Sequence, residues 1–135
     1  MPTLRTKRPS ALAVSDVLDA SALLAWLNLE PGADVVYPLL EGSSICAVNW
    51  SEVLQKAVDA GLDPTRTAKL IESRGVAVVD ATRGDAILAA KYWHRGTPLS
   101  LADRFCLALA FRLNRRAVTA DRVHHRPRRC RTLSP

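Results

Sequence analysis

The sequence predicts an α/β fold, a three-layer α/β/α sandwich with a short, mainly parallel central sheet, and three observations predict it. Four short apolar segments alternate with helix-forming stretches across the 135 residues. Each intervening stretch is long enough for a crossover helix, which favours parallel pairing with right-handed connections. Glycine and proline fall at the junctions rather than inside the periodic segments, so the punctuation agrees with the pattern.

In chain order, residues 1–15 carry Pro2 and Pro9 and no sustained periodicity, and read as an irregular basic extension. Residues 17–18 form a short strand that runs into Asp19. Residues 21–27 (SALLAWL) are helix formers, ended by Pro31 and Gly32. A second helix is expected over 33–40, closed by Gly42. Residues 44–48 (SICAV) read as a buried strand. Asn49-Trp50-Ser51-Glu52 then opens a helix to about residue 60, stopped by Gly61. Asp63-Pro64 starts another, closed by Gly75, and 76–80 (VAVVD) is a third strand. A helix over 83–94 ends before Gly96. Ser100 introduces the most apolar helix, 101–113, which is apolar on most sides and so expected to be buried. Residues 117–119 are a fourth strand, leading to Asp121. The remaining HHRPRRCRTLSP offers neither a helical stripe nor a strand. The expected organisation is therefore an extension (1–15), one domain (16–122) and a basic, flexible tail (123–135).

Charge is segregated. Of the 19 Lys and Arg, eleven lie in 1–15 and 112–135, opposed there only by Asp121; residues 16–111 hold eight basic and twelve acidic residues. An acidic body with basic ends suits an acidic reaction centre and electrostatic capture of a polyanion. Cys46 and Cys106 sit in apolar contexts and Cys130 in the basic tail, with no CxxC pair, which disfavours a zinc site or a disulfide scaffold. The apolar stretch near the N-terminus is too short for a signal peptide, and no run is long enough to span a bilayer. The expected location is the cytoplasm, with no membrane partner.

Open parallel sheets present ligands beyond the carboxyl ends of their strands. Asp19 and Asp121 follow the first and fourth strands, Glu52 lies in the first turn after the second, and Asp103 lies in the first turn of the buried helix. Singly, each has a structural account: Asp19 and Asp121 as N-caps, and Asn49-x-x-Glu52 and Ser100-x-x-Asp103 as capping boxes. Together they converge on one rim. Clustered carboxylates repel one another, and a hard divalent cation relieves that repulsion. An all-oxygen set suits Mg²⁺ or Mn²⁺ rather than zinc, and the matching reaction is metal-assisted phosphodiester hydrolysis.

The blocks VLDASALLAWLN, EPGADVV, VNWSEVLQKA, LSLADRFCLALA and VTAD, spanning residues 17–122, resemble the PIN-domain toxins of VapBC toxin–antitoxin modules, the VapC family. The resemblance implies a PIN fold and a Mg²⁺-dependent ribonuclease, held inactive by a cognate VapB-type antitoxin and commonly homodimeric. It implies that Asp19 and Asp103 share the metal, with Glu52 the second acidic position and Asp121 a fourth that positions metal or water. Ser21 and Thr119 fall on its small hydroxyl positions. The chain departs from the family pattern at both ends, by the extension and by a basic tail where a final apolar strand is usual.

Other residues carry less. Arg104, Arg112, Arg115, Arg116 and Arg122 are candidates for RNA backbone contacts, and His124-His125 reads as solvated tail rather than a metal site. Trp26, Trp50, Tyr92 and Trp93 are candidates for base stacking, with packing favoured for Trp26 and Trp50. Apolar Leu23, Leu24, Leu27, Val35 and Val36 suit either burial on the sheet or a dimer or antitoxin surface. The alternatives are a catalytically degenerate PIN fold that binds RNA or antitoxin, and a phosphatase using Asp19, which would want a second aspartate where Ser21 stands.

Overall fold

The computed structural model describes residues 15–120 and the backbone of 127–130. Among these, five strands form one sheet in the order β3-β2-β1-β4-β5. β1 (Asp16–Leu18), β2 (Ser44–Cys46), β3 (Ala77–Val79) and β4 (Arg116–Ala120) are mutually parallel, and β5 (Pro127–Cys130) runs antiparallel to β4. β1 is central because its residues are buried on both faces: Leu18 faces one apolar cluster and Val17 the other. The same alternation recurs at Ile45 and Cys46, and at Val118 and Ala117.

Among the described residues, six α-helices cover the sheet: α1 (Ala20–Leu27), α2 (Ala33–Val36), α3 (Ala47–Asp59), α4 (Pro64–Glu72), α5 (Arg83–Lys91) and α6 (Leu101–Leu113). Leu23 of α1, Val36 of α2, Val53 of α3 and Ile71 of α4 fill one side, where Leu18 and Ile45 meet them. On the other side α6 lays Cys106, Leu107, Leu109 and Ala110 against Val17, Cys46 and Ala117. α5 packs on the outside of α6, and α3 touches α1 and α4 as well as α6. The layered α/β/α arrangement is as expected, and Leu109 shows why it holds: fully buried, it would cost about 2–5 kcal/mol if truncated to alanine.

Four local expectations are corrected. The second strand stops at Cys46, so α3 begins at Ala47 and Glu52 sits in its second turn rather than its first. Val48 has a strand former's side chain, but packing against the α6 cluster overrides that weak preference. Asn49 is consequently no cap; it is buried inside α3. The helix expected over 33–40 is α-helical only to Val36 and continues as a 3-10 turn (Tyr37–Leu39), because Pro38 has no N–H to sustain the α ladder. α5 ends at Lys91, short of the expected residue 94. Finally, the span read as tail contains β5, whose register sets Ala117 beside Cys130 and Ala120 beside Pro127. Backbone pairing with the open side of β4 forms this strand without an apolar pattern, and Pro127 occupies its first position, where an edge strand tolerates it.

Candidate active site

The parallel register brings the ends of β1 and β4 level. Leu18 pairs with Val118, and the Asp19 N–H donates to the Val118 carbonyl at 3.1 Å, so Asp19 stands beside Thr119. Asp19 is also the N-cap of α1: its Oδ1 accepts from the Ala22 N–H at 2.9 Å and from the Ser21 hydroxyl at 2.7 Å. Having given its proton to Asp19, the Ser21 Oγ is an acceptor for the Ala120 N–H at 3.0 Å and lies 3.0 Å from the Thr119 hydroxyl. One side chain thus ties the start of α1 to the end of β4. The expected N-cap role of Asp19 is present, and it does not exhaust the residue.

Asp103 arrives from the opposite direction. Ser100 and Asp103 form a reciprocal capping box, with Asp103 N–H donating to Ser100 Oγ at 3.1 Å and Ser100 N–H donating to Asp103 Oδ2 at 2.9 Å. The box fixes the carboxylate at the positive end of a 13-residue helix. Glu52 projects from the second turn of α3. All three acids line one cleft of about 520 Å³, together with Ser21, Lys56, Ser100 and Thr119.

Their electrostatics register the shared space. Burial pushes the Asp19 carboxyl above its ordinary pKa; the Thr119, Ala22 and Ser21 hydrogen bonds oppose this, and repulsion from Asp103 adds to it. An apolar hollow behind the acids, walled by Leu99, Cys106, Leu107 and Val118, supplies the low-dielectric side. Glu52 is raised too, by desolvation first and then by repulsion from Asp103 and Asp19, with Lys56 pulling the other way. Among the described residues no three acidic, histidine or cysteine side chains are gathered tightly enough to make a ready cation cage. Asp121 and Arg122 lie outside the described residues, as do His124 and His125.

The four described arginines considered for RNA contacts, Arg104, Arg112, Arg115 and Arg116, do not line this cleft. Arg112 is engaged bidentately by buried Asp85, at 2.8 and 2.9 Å, and also donates to the Asp80 carbonyl at 3.1 Å. Arg116 pairs with Asp16 at 2.9 Å and Arg115 donates to Ser44 at 3.0 Å, both where the strands begin. With β1 and β4 parallel, that is the opposite end of the sheet, three residues or about 10 Å from the Asp19 level. Arg104 turns toward α5 and donates to the Ala89 carbonyl at 2.9 Å. Position within a basic run does not fix the direction of a side chain, and these partners do. Trp26 and Trp50 pack against the core as anticipated, as does Tyr92, while Trp93 is exposed.

Around the cleft, Lys56 is not singled out by the sequence and Asn49 is expected only as a cap. Lys56 follows Glu52 by four positions, a helical spacing that places both on one face. Asn49 precedes Glu52 by three and donates from Nδ2 to the Ala102 carbonyl at 3.1 Å, next to Asp103.

The PIN domain family model matches residues 17–129. The chain belongs to the PIN domain family. Two solved structures share this PIN fold. A toxin–antitoxin complex from Klebsiella pneumoniae is 18% identical, with a TM-score of 0.64 over 79% of this chain and 87% of the other. VapC20 of Mycobacterium tuberculosis, described as a sarcin-ricin loop cleaving toxin, is 16% identical, with a TM-score of 0.66 over 80% and 91% of the two chains. No curated protein sequence matches the chain. Among the described residues no helix of this PIN domain is long and apolar enough to cross a membrane.

Proposed function

We propose that this PIN domain is a Mg²⁺-dependent endoribonuclease and the toxin of a type II toxin–antitoxin module. The observation that carries the reading is that Asp19 and Asp103, from the end of β1 and the start of α6, face one cleft with Glu52 on its wall, and Asp103 adds to the cost of charging both Asp19 and Glu52. Carboxylates that are desolvated and mutually repelled suit a site whose charge is completed by a cation. The donors are all oxygens, and Mg²⁺ is commonly held through one or two carboxylates while keeping several waters, so the inner pair suffices without a three-residue cage. Asp19 and Asp103 would hold the ion, Mn²⁺ being an acceptable substitute.

A bound divalent cation would supply water activation and stabilisation of charge in phosphodiester displacement. The chain's own residues do the rest. Ser21 and Thr119 hold the Asp19 carboxylate in place, and the Ser100 box holds Asp103. Glu52 would orient the attacking water, and the resemblance to the VapC family implies the same role for Asp121. Likeness to a toxin–antitoxin complex and to a sarcin-ricin loop cleaving toxin supports an RNA substrate and an antitoxin partner. A VapB-type antitoxin, a homodimer and a cytoplasmic setting are what the resemblance to the VapC family implies.

The test is cleavage of structured RNA with Mg²⁺ and then with EDTA, by wild type, Asp19→Asn and Asp103→Asn. Cutting by wild type alone, abolished by EDTA, is the expected result. A catalytically degenerate PIN fold that binds RNA or antitoxin draws on the lack, among the described residues, of a three-residue cage. RNA that is bound but uncut across several substrates selects that second reading.

A further inference from the structure

We propose that Lys56 is the cleft residue that grips the RNA backbone, contacting a phosphate next to the one that is cut. The inference rests on the nuclease reading above and adds to it a substrate-positioning residue. Three carboxylates line the cleft, and a polyanion approaching them is repelled until positive charge faces it. Among the described residues, Lys56 is the one basic side chain lining that cleft. It stands one helical turn beyond Glu52, on the α3 face that carries the acid.

The four described arginines considered for this role are committed elsewhere. Arg112 is forked onto Asp85, Arg116 is paired with Asp16, Arg115 is bonded to Ser44, and Arg104 is bonded to the α5 backbone. Lys56 forms no salt bridge among the described residues and is exposed, so its ammonium is hydrated and free to turn. A lysine of this kind, a compact charge on a flexible stem, suits a phosphate whose position varies with sequence. Its influence on Glu52 defines the rival role: a lysine that serves only to hold Glu52 ionised acts on the chemical step and leaves RNA binding alone.

Steady-state cleavage of a fluorescent single-stranded RNA between about 50 and 200 mM salt separates these roles, using wild type, Lys56→Gln, Lys56→Arg and Lys69→Gln. Lys69 lies exposed on α4, away from the cleft, and its variant controls for net charge. Lys56→Gln is expected to raise KM about three- to tenfold and to make the log–log salt slope shallower by about 0.7, the increment for one phosphate on a single strand. Its kcat should stay near wild type at a pH where Glu52 is ionised in both proteins, Lys56→Arg should restore KM, and Lys69→Gln should leave KM unchanged. Wild-type KM in Lys56→Gln, or a loss confined to kcat with a displaced pH profile, overturns the role of Lys56 while the nuclease reading stands. A wild-type protein that neither cuts nor binds RNA overturns both.

Discussion

Asn49 on α3 reaches across to α6 and donates its Nδ2 to the Ala102 carbonyl at 3.1 Å, three residues before Glu52 on one helix and one residue before Asp103 on the other. Asn49 itself is almost wholly buried, and among the described residues its Oδ1 has no hydrogen-bond partner. A half-satisfied amide is a poor way to gain stability, since the unpaired oxygen is desolvated without return. Its value is positional: it sets the spacing of the two helices that carry acids. Asn49→Leu, which keeps the volume and loses the bond, is expected to change thermal stability by no more than about 1–2 kcal/mol. Cleavage, measured well below the melting temperature, should fall about tenfold or more. A variant as active as wild type would show that the bond does not position the site.

Asp19 carries a charge that the fold disfavours, and this has a measurable sign. Its folded pKa lies above the unfolded value, chiefly through burial, so the native state binds more protons in the window just above about pH 4. Stability therefore falls as pH rises through that window, and the full penalty is present above it. Asp19→Asn retains an acceptor for the Ala22 N–H and removes the charge. Melts at neutral pH without divalent cation are expected to place this variant at or above wild type, the gap closing below about pH 4. A variant clearly less stable at neutral pH would assign Asp19 a structural role instead.

The opposite sign applies to Asp85. Burial works against its charge, but the Arg112 fork and the Thr82 cap outweigh that and leave its pKa lowered. A lowered acid stabilises the fold above its unfolded pKa and loses that contribution as pH falls through the folded one. Arg112→Gln should therefore destabilise the protein at neutral pH by about 1–3 kcal/mol, a range reduced because Arg112 is partly exposed. Its deficit should shrink in acid below about pH 4. Equal melting temperatures at neutral pH would contradict the pairing, and lost RNA binding without lost stability would return Arg112 to the substrate.

Ser21 gives its proton to Asp19 and receives the Ala120 N–H. Ser21→Ala leaves the carboxylate with one fewer donor and the Ala120 N–H without its side-chain acceptor. Partners that orient metal-binding groups are typically worth about 10- to 100-fold in affinity or activity, and a loss in that range is expected for cation-dependent cleavage. Ser21→Thr, which keeps the hydroxyl, should recover part of it. Full activity in the alanine variant would remove Ser21 from the site.

The sheet and its helices were legible because both rest on local signals. Apolar pairs such as Val17–Leu18 and Ala117–Val118 divide between the two buried faces, prolines and glycines mark the joints, and Ser100 caps its helix. The approach of Asp19, Glu52 and Asp103 to one cleft was also legible, since strand ends and helix starts share an edge in a parallel sheet. What escaped was set by tertiary contacts. The start of α3 depends on Val48 meeting α6, β5 depends on the open side of β4, and each arginine's direction depends on a partner far away in sequence.

The most direct measurement of the central claim is Mn²⁺ or Mg²⁺ binding by calorimetry to wild type, Asp19→Asn and Asp103→Asn, each first shown to be folded. If the two carboxylates hold one ion, wild type binds it and either substitution weakens binding by at least about tenfold. Undiminished binding in Asp103→Asn would mean that the start of α6 and the end of β1 do not share a cation.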